Sequence, residues 1–257
     1  MTRRRACEVL VGALPIALIL GLWHGLATLG MAPPSLLPAP RAVFSRLVEQ
    51  FANPSYLQHA AITLFRLFAG FAIAVGIGVT AGVVATGSAA FGALLRPMVR
   101  VLAPVPKVAL YPALILILGF EHASKIALVA ADAVFPILLA TYQGTSAVEP
   151  KLVWSALATG ASRWNALFNV VLPAALPSVL TGCRIGLVIS CIVVFLAEMI
   201  TSTNGLGHLL IYAARSFETV DMFVPLITIS LLGLVLNASF NALQRWLLLG
   251  FPQEASR

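Results

Sequence analysis

The chain has 257 residues, of which 60% are hydrophobic and 10% charged, and its formal net charge is +7. Water-soluble domains carry roughly a quarter charged residues, so this composition excludes an ordinary soluble fold and indicates a membrane protein. The cations stand singly between apolar runs and form no basic face, which excludes nucleic acid as a partner and leaves membrane orientation as their role.

Arg3, Arg4 and Arg5 precede a run at 9–40 that holds no Asp, Glu, Lys or Arg, and comparable runs occupy 67–95 and 222–244. Each exceeds the ~20 residues needed to cross the hydrocarbon core. The first run outlasts a signal-peptide core and shows no small-residue cleavage site, so it reads as an uncleaved span. None of the runs has the period-two alternation of barrel strands, and backbone amides in lipid must then be satisfied within helices. The prediction is an all-α, polytopic chain with about six transmembrane helices at 9–30, 62–86, 92–119, 124–143, 174–199 and 222–246.

Between the first two spans, Pro33, Pro34, Pro38 and Pro40 open a stretch in which Val43, Phe44, Leu47, Val48 and Phe51 recur at helical spacing. This predicts an amphipathic helix on the outer membrane surface. The first span and this helix form an N-terminal unit over 1–60, and five spans form a core over 61–250. In the second span Gly70, Gly76, Gly78 and Gly82 make a small-residue face, which predicts close helix packing either within one subunit or between two.

The third span contains Pro97, Pro104, Pro106, Pro112 and Lys107. The lost backbone donors predict a kinked or broken span that faces the interior or a subunit interface. Asp132 in the fourth span and Arg184 and Glu198 in the fifth are ionisable groups at membrane depth, and so are candidates for a translocation path. Arg184 reads either as a contact for an anionic solute or as a structural partner of Asp132 or a carbonyl, with the structural role favoured. Glu198 reads equally as a gate, a helix-end contact or a solute contact.

Between the fourth and fifth spans lies 149–173, EPKLVWSALATGASRWNALFNVVLP. Pro150 suits the first turn of a short helix and Gly160 its left-handed stop. Ser162 can cap a second helix in which Trp164, Leu167, Phe168 and Val171 recur at i, i+3, i+4 and i+7. Two short helices with an apolar face suit a groove on a partner, and equally a membrane interface or neighbouring spans.

The same segment resembles the coupling motif of ABC importer permeases. Gly160 matches the motif glycine, Val170 stands for its isoleucine, and Leu172 and Pro173 complete the ending. The EAA triplet falls on Trp154, Ser155 and Ala156, so its acidic residue is missing. LLPAP at 36–40, SKIAL at 124–128, FPILL at 135–139, GASRW at 160–164, LPAALP at 172–177, AEMI at 197–200 and GLGHL at 205–209 resemble the nitrate/sulfonate/taurine/bicarbonate branch in order and spacing.

This resemblance implies a type I (MetI-like) permease fold. It also implies a homodimer with a second permease subunit, two separate ATPase subunits and an extracytoplasmic solute-binding protein. Trp154, Ser155, Ala156, Gly160, Ala161, Ser162, Trp164, Leu167, Phe168, Leu172 and Pro173 would form the ATPase-coupling segment, with Trp164, Leu167 and Phe168 docking in the ATPase groove. The solute expected from this branch is a small nitrate-, sulfonate- or taurine-like anion.

The chain has no phosphate-binding loop of the G-x-x-x-x-G-K-[ST] type, so the ATPase activity is expected on a partner and the chain itself is not expected to be an enzyme. His24, His59, His122 and His208 are dispersed without metal or triad spacing, so no metal or cofactor is expected. Cys183 and Cys191, eight apart on one helix, cannot bond each other, and with Cys7 they predict no disulfide framework. An ion-coupled secondary transporter remains the alternative, with Asp132 and Glu198 as its carboxylates. Cation counts favour both termini inside a bacterial cytoplasmic membrane. Arg3, Arg4, Arg5, Arg96, Arg100, Lys151, Arg163, Arg245 and Arg257 are expected on the inner side, and chiefly Arg41, Arg46 and Arg215 on the outer side.

Overall fold

The structure is a computed structural model that describes the backbone of residues 2–31, 33 and 35–249, and their side chains except at 2–13, 16 and 96. Helix α1 (Thr2–Thr28) carries the first predicted span, and its described apolar part is Ala17–Thr28. Arg3, Arg4, Arg5 and Cys7 have side chains outside the described residues. Helix α2 (Pro40–Phe51) starts on Pro40, whose missing N–H costs nothing at that position. It turns Val43 and Leu47 inward, and Leu47 packs with Tyr56, Leu206 and Val224.

Helix α3 (Pro54–Gly87) opens with Asn53 accepting from the Ser55 amide at 3.0 Å, and it ends beside Ser88, which caps α4 (Ala89–Leu102). The chain then breaks at Pro104 and Pro106 and resumes as a 3-10 turn, Lys107–Leu110, that runs into α5 (Tyr111–Leu118). The two halves meet at 86°, so the predicted break at the prolines is present. Leu116 and Ile117 at its far end are 88% and 79% exposed, a surface suited to lipid or another subunit.

Helix α6 (His122–Ser146) runs parallel to α3. A Cβ placed on Gly70 would meet Val129, one on Gly78 would meet Ile137, and one on Gly82 would meet Thr141, at 2.6 to 2.9 Å. The predicted glycine face therefore packs inside one subunit, with backbones close enough that no side chain fits. Gly76 is the exception, with open space around its Cβ position.

After α6 come α7 (Pro150–Ala158), α8 (Arg163–Ala166), a π turn (Leu167–Val171) and α9 (Leu172–Ala174). Helix α10 (Leu176–Thr201) returns antiparallel against α6, where Gly182 and Gly186 sit on Ala140 and Ile137. Helix α11 (Leu206–Arg215) precedes α12 (Thr219–Leu247), which packs on α10, α11 and α2. The core lies where α3, α6 and α10 meet, around Leu67, Leu128, Val129, Ala133, Ile137 and Val194.

Among the described residues four helices, α3, α6, α10 and α12, are long and apolar enough to cross a membrane, and a fifth crossing is counted only if the bent α4–α5 pair is one span. The connections put α7 to α9 at one end of the bundle and α2 and α11 at the other. Among the described residues there is no strand and no metal-ligand cluster. Cys183 and Cys191 are buried free thiols.

Candidate functional site

The segment between α6 and α10 has the local chemistry read from its sequence. Pro150 occupies the first turn of α7, and Gly160 just past its end adopts φ +91°. The Gly160 amide donates to Leu157 O at 3.0 Å and the Ala161 amide to Ala156 O at 3.1 Å, the paired bonds of a Schellman stop. Ser162 caps α8 by accepting from the Asn165 amide at 3.2 Å.

The second helix departs from its predicted regular form. It holds one α turn, then widens to a π turn closed by the Leu172 amide on Leu167 O. Pro173 is the physical reason. It has no N–H for an i−4 bond, and its ring would strike the carbonyl of Asn169, so the turn opens to pass it.

The predicted apolar face is divided into a buried and an exposed stripe. Leu167 and Val171 are buried with Val83, and the absent side chain of Gly87 leaves room for Leu167. Assigning Leu167 to the docking surface is therefore corrected, because it faces α3 and holds the segment to the bundle. Leu172 and Ala161 are half-buried, and Pro173 is exposed. Trp154, Ser155, Gly160, Ser162, Trp164 and Phe168 are exposed, and Ala156 is half-buried. Trp164 and Phe168 stack at 6.3 Å between ring centroids. The result is an outward aromatic surface on two short helices anchored from beneath.

The ionisable candidates at membrane depth do not converge. Asp132 Oδ1 lies 3.6 Å from Lys107 Nζ, which also donates to Ala103 O and sits over the Phe135 ring. Arg184 is exposed and donates to Asn241 Oδ1 at 2.9 Å, so Asp132 and Arg184 do not pair with each other. Glu198 is fully buried and has no exposure to a path. Of its three readings the helix-end contact is the one the geometry matches, since its carboxylate is held by Arg66, Thr63 and the Gly207 amide at the start of α11.

Those donors were missed from sequence. Arg66 Nη1 donates to Glu198 Oε1 at 2.7 Å, Thr63 Oγ1 to Oε2 at 2.9 Å, and the Gly207 amide to Oε2 at 3.1 Å. Arg66 also donates to Asn204, to Ser202 Oγ and to His122 Nδ1. The first amides of α11 are thus capped by side chains from other helices. Gly205 N–H donates to His59 Nδ1 and Leu206 N–H to Thr63 Oγ1, each at 2.9 Å, while Glu198 puts a negative charge at the helix start. The signal was available, because Arg66 lies inside the second predicted span, where a charge requires a partner.

Two cavities flank these groups. One of about 320 Å³, at the end carrying α7 to α9, lies between α3, α4 and α6. The other, of about 250 Å³ at the opposite end, contains Arg46, Glu218 and Asp221. There Arg46 Nε donates to Asp221 at 2.6 Å and Nη1 to Glu49 at 3.1 Å. Those bonds, Asp221's first, raise the guanidinium above its ordinary pKa.

Comparison with known proteins agrees with this architecture. Residues 74–249 match the family model described as "Binding-protein-dependent transport system inner membrane component". The chain is 30% identical over 237 residues to the permease protein of Bacillus subtilis (strain 168) named for aliphatic sulfonates transport, SsuC, covering 92% of this chain and 86% of that protein. It is 31% identical over 235 residues to the taurine transport system permease protein TauC of Escherichia coli (strain K12), covering 90% and 86%.

Among solved structures, a chain of the MetNI methionine ABC transporter in an inward-facing conformation superposes with a TM-score of 0.67 at 17% identity, over 74% of this chain and 95% of that one. A chain of an amino acid ABC transporter crystallised with histidines gives 0.60 at 16% identity, over 78% and 95%. The fold is thus the MetI-like permease fold, and the chain belongs to the binding-protein-dependent inner membrane components of ABC importers.

Proposed function

We propose that the chain pairs with a second copy to form the translocation path for a small sulfonate- or taurine-like anion, delivered by an extracytoplasmic binding protein and driven by two separate ATPase subunits. Both termini would lie in the cytoplasm. The observation that carries this reading is the coupling segment. Trp154, Trp164 and Phe168 are exposed on two short helices, while Leu167 and Val171 fix that pair to the bundle beneath.

Exposed aromatic side chains on a rigid projection suit a groove on a partner, and displacing such a projection moves the helices to which it is fixed. The names of SsuC and TauC support the solute class. The secondary-transporter alternative loses support because Asp132 and Glu198, its two carboxylates, each face a cation.

Reconstitution tests the proposal. Proteoliposomes containing the chain, its cognate ATPase and its binding protein should accumulate taurine or a short alkanesulfonate only with internal ATP. Uptake without ATPase subunits, or labelling of 150–170 from outside intact cells, would overturn it.

A further inference from the structure

The cavity of about 320 Å³ between α3, α4 and α6 is at the lower end of the size of small-molecule pockets, about 300–1,000 Å³. Its floor is apolar, with Val99 and Leu138 buried and Leu139 half-buried beside them. Ala85 and Gly92 line it where α3 and α4 come so close that a Cβ on Gly92 would strike Ala85 O. Its mouth is polar, where Arg100 and Gln143 are exposed. Among the described residues Arg100 is the one charged residue lining it, and among them no carboxylate lies within 4 Å of that guanidinium.

The second cavity shows the contrast. Its lining carries one cation and two carboxylates, and its Arg46 is already bonded to Asp221. A net negative lining with an occupied guanidinium repels anions. The first cavity combines an apolar floor with a lining guanidinium that has no carboxylate partner among the described residues, a combination that suits an anionic head on an alkyl body.

Resting on the importer reading above, we infer that this cavity binds the transported solute as an alkyl anion. Arg100 holds the sulfonate, Gln143 donates a second hydrogen bond, and the alkyl chain lies against Val99, Leu138 and Leu139. The location also connects the site to the coupling segment. Helix α6 supplies Leu138, Leu139 and Gln143 and leads directly into α7, and Thr145 on α6 bonds Thr86 on α3 at 2.7 Å. Occupancy of the cavity therefore bears on the helices that carry the aromatic projection.

The test measures equilibrium binding of radiolabelled 1-butanesulfonate to the full chain in nanodiscs of phosphatidylcholine alone, without ATP. Binding should be saturable, and Arg100→Gln and the cavity-filling Val99→Trp should each weaken it at least about tenfold. Arg100→Lys, which keeps the charge, should restore most of it, which separates loss of the contact from loss of the fold. Arg245→Gln, which removes a charge at the same end of the bundle, should leave binding unchanged.

Equal binding by Arg100→Gln and wild type, or no binding by wild type, overturns the site. So does native mass spectrometry in native lipid showing an acidic phospholipid held by wild type and released by Arg100→Gln, because the occupant is then lipid. ATP-driven uptake that survives Arg100→Gln sinks this site and spares the importer reading. Absence of ATP-driven uptake by the wild-type assembly sinks the importer reading and leaves the binding measurement standing.

Discussion

Arg66 Nη1 and Glu198 Oε1 lie 2.7 Å apart, with both side chains sealed from solvent, and they tie α3 to α10. A pair buried this completely owes its stability to mutual neutralisation, so removing one partner strands the other charge. Arg66→Met or Glu198→Leu should each cost about 3–5 kcal/mol. The double substitution should cost less than the sum of the two. Thermal unfolding of the purified chain in detergent reads this directly, and additive shifts would show that the two groups act independently.

Gly205 and Gly160 both have positive φ, +101° and +91°, yet their surroundings differ. A Cβ on Gly205 would strike the Glu198 carboxylate, whereas one on Gly160 meets nothing within 4 Å. Gly160→Ala should therefore cost only the left-handed backbone penalty, about 1–2 kcal/mol. Gly205→Ala adds displacement of Glu198 from Arg66 and from the start of α11, and its unfolding midpoint should fall further. Matching midpoints for the two variants would count against the capping role of Glu198.

Much of this was legible in the sequence because it depends on local chemistry. Pro150, Gly160 and Ser162 act through their own backbone and nearest neighbours, and each does what its residue type dictates. Pro104 and Pro106 break the third span for the same reason. Tertiary partners were less legible. Leu167 and Phe168 are adjacent in sequence and equally apolar, and only the space left by Gly87 decides that Leu167 is the one that turns inward. The three readings of Glu198 could not be separated from sequence because its cation, Arg66, lies 132 positions away. Helix α11 was missed because its start is capped by side chains of α3 and α10, which local spacing does not reveal.

The division between Leu167 and its neighbours gives separate outcomes for stability and assembly. Leu167→Ala opens a cavity against Val83 and Val171 and should cost about 2–5 kcal/mol. Trp164→Ala and Phe168→Ala remove exposed rings, so the unfolding midpoint should barely move while co-purification of the ATPase falls severalfold. If Trp164→Ala retains the ATPase fully, the aromatic surface is not the docking face.

The glycine face of α3 discriminates internal packing from subunit contact. Gly82 has no room for a side chain, since its Cβ position lies 2.7 Å from Thr141 Cβ and 3.0 Å from Leu138 O. Gly76 lies on the same helix with nothing within 4 Å of that position. Replacing a helical glycine gains some tenths of a kcal/mol from propensity, about 0.5, while overpacking costs about 1–3 kcal/mol, so the clash wins at Gly82 and propensity wins at Gly76. Gly82→Val should thus lower the unfolding midpoint by wedging α3 from α6. Gly76→Val should leave it unchanged or slightly higher. Cross-linking of the assembled importer completes the test: if Gly76→Val abolishes subunit pairing while the isolated chain stays stable, the open side of α3 is the contact between copies and not a lipid-facing surface.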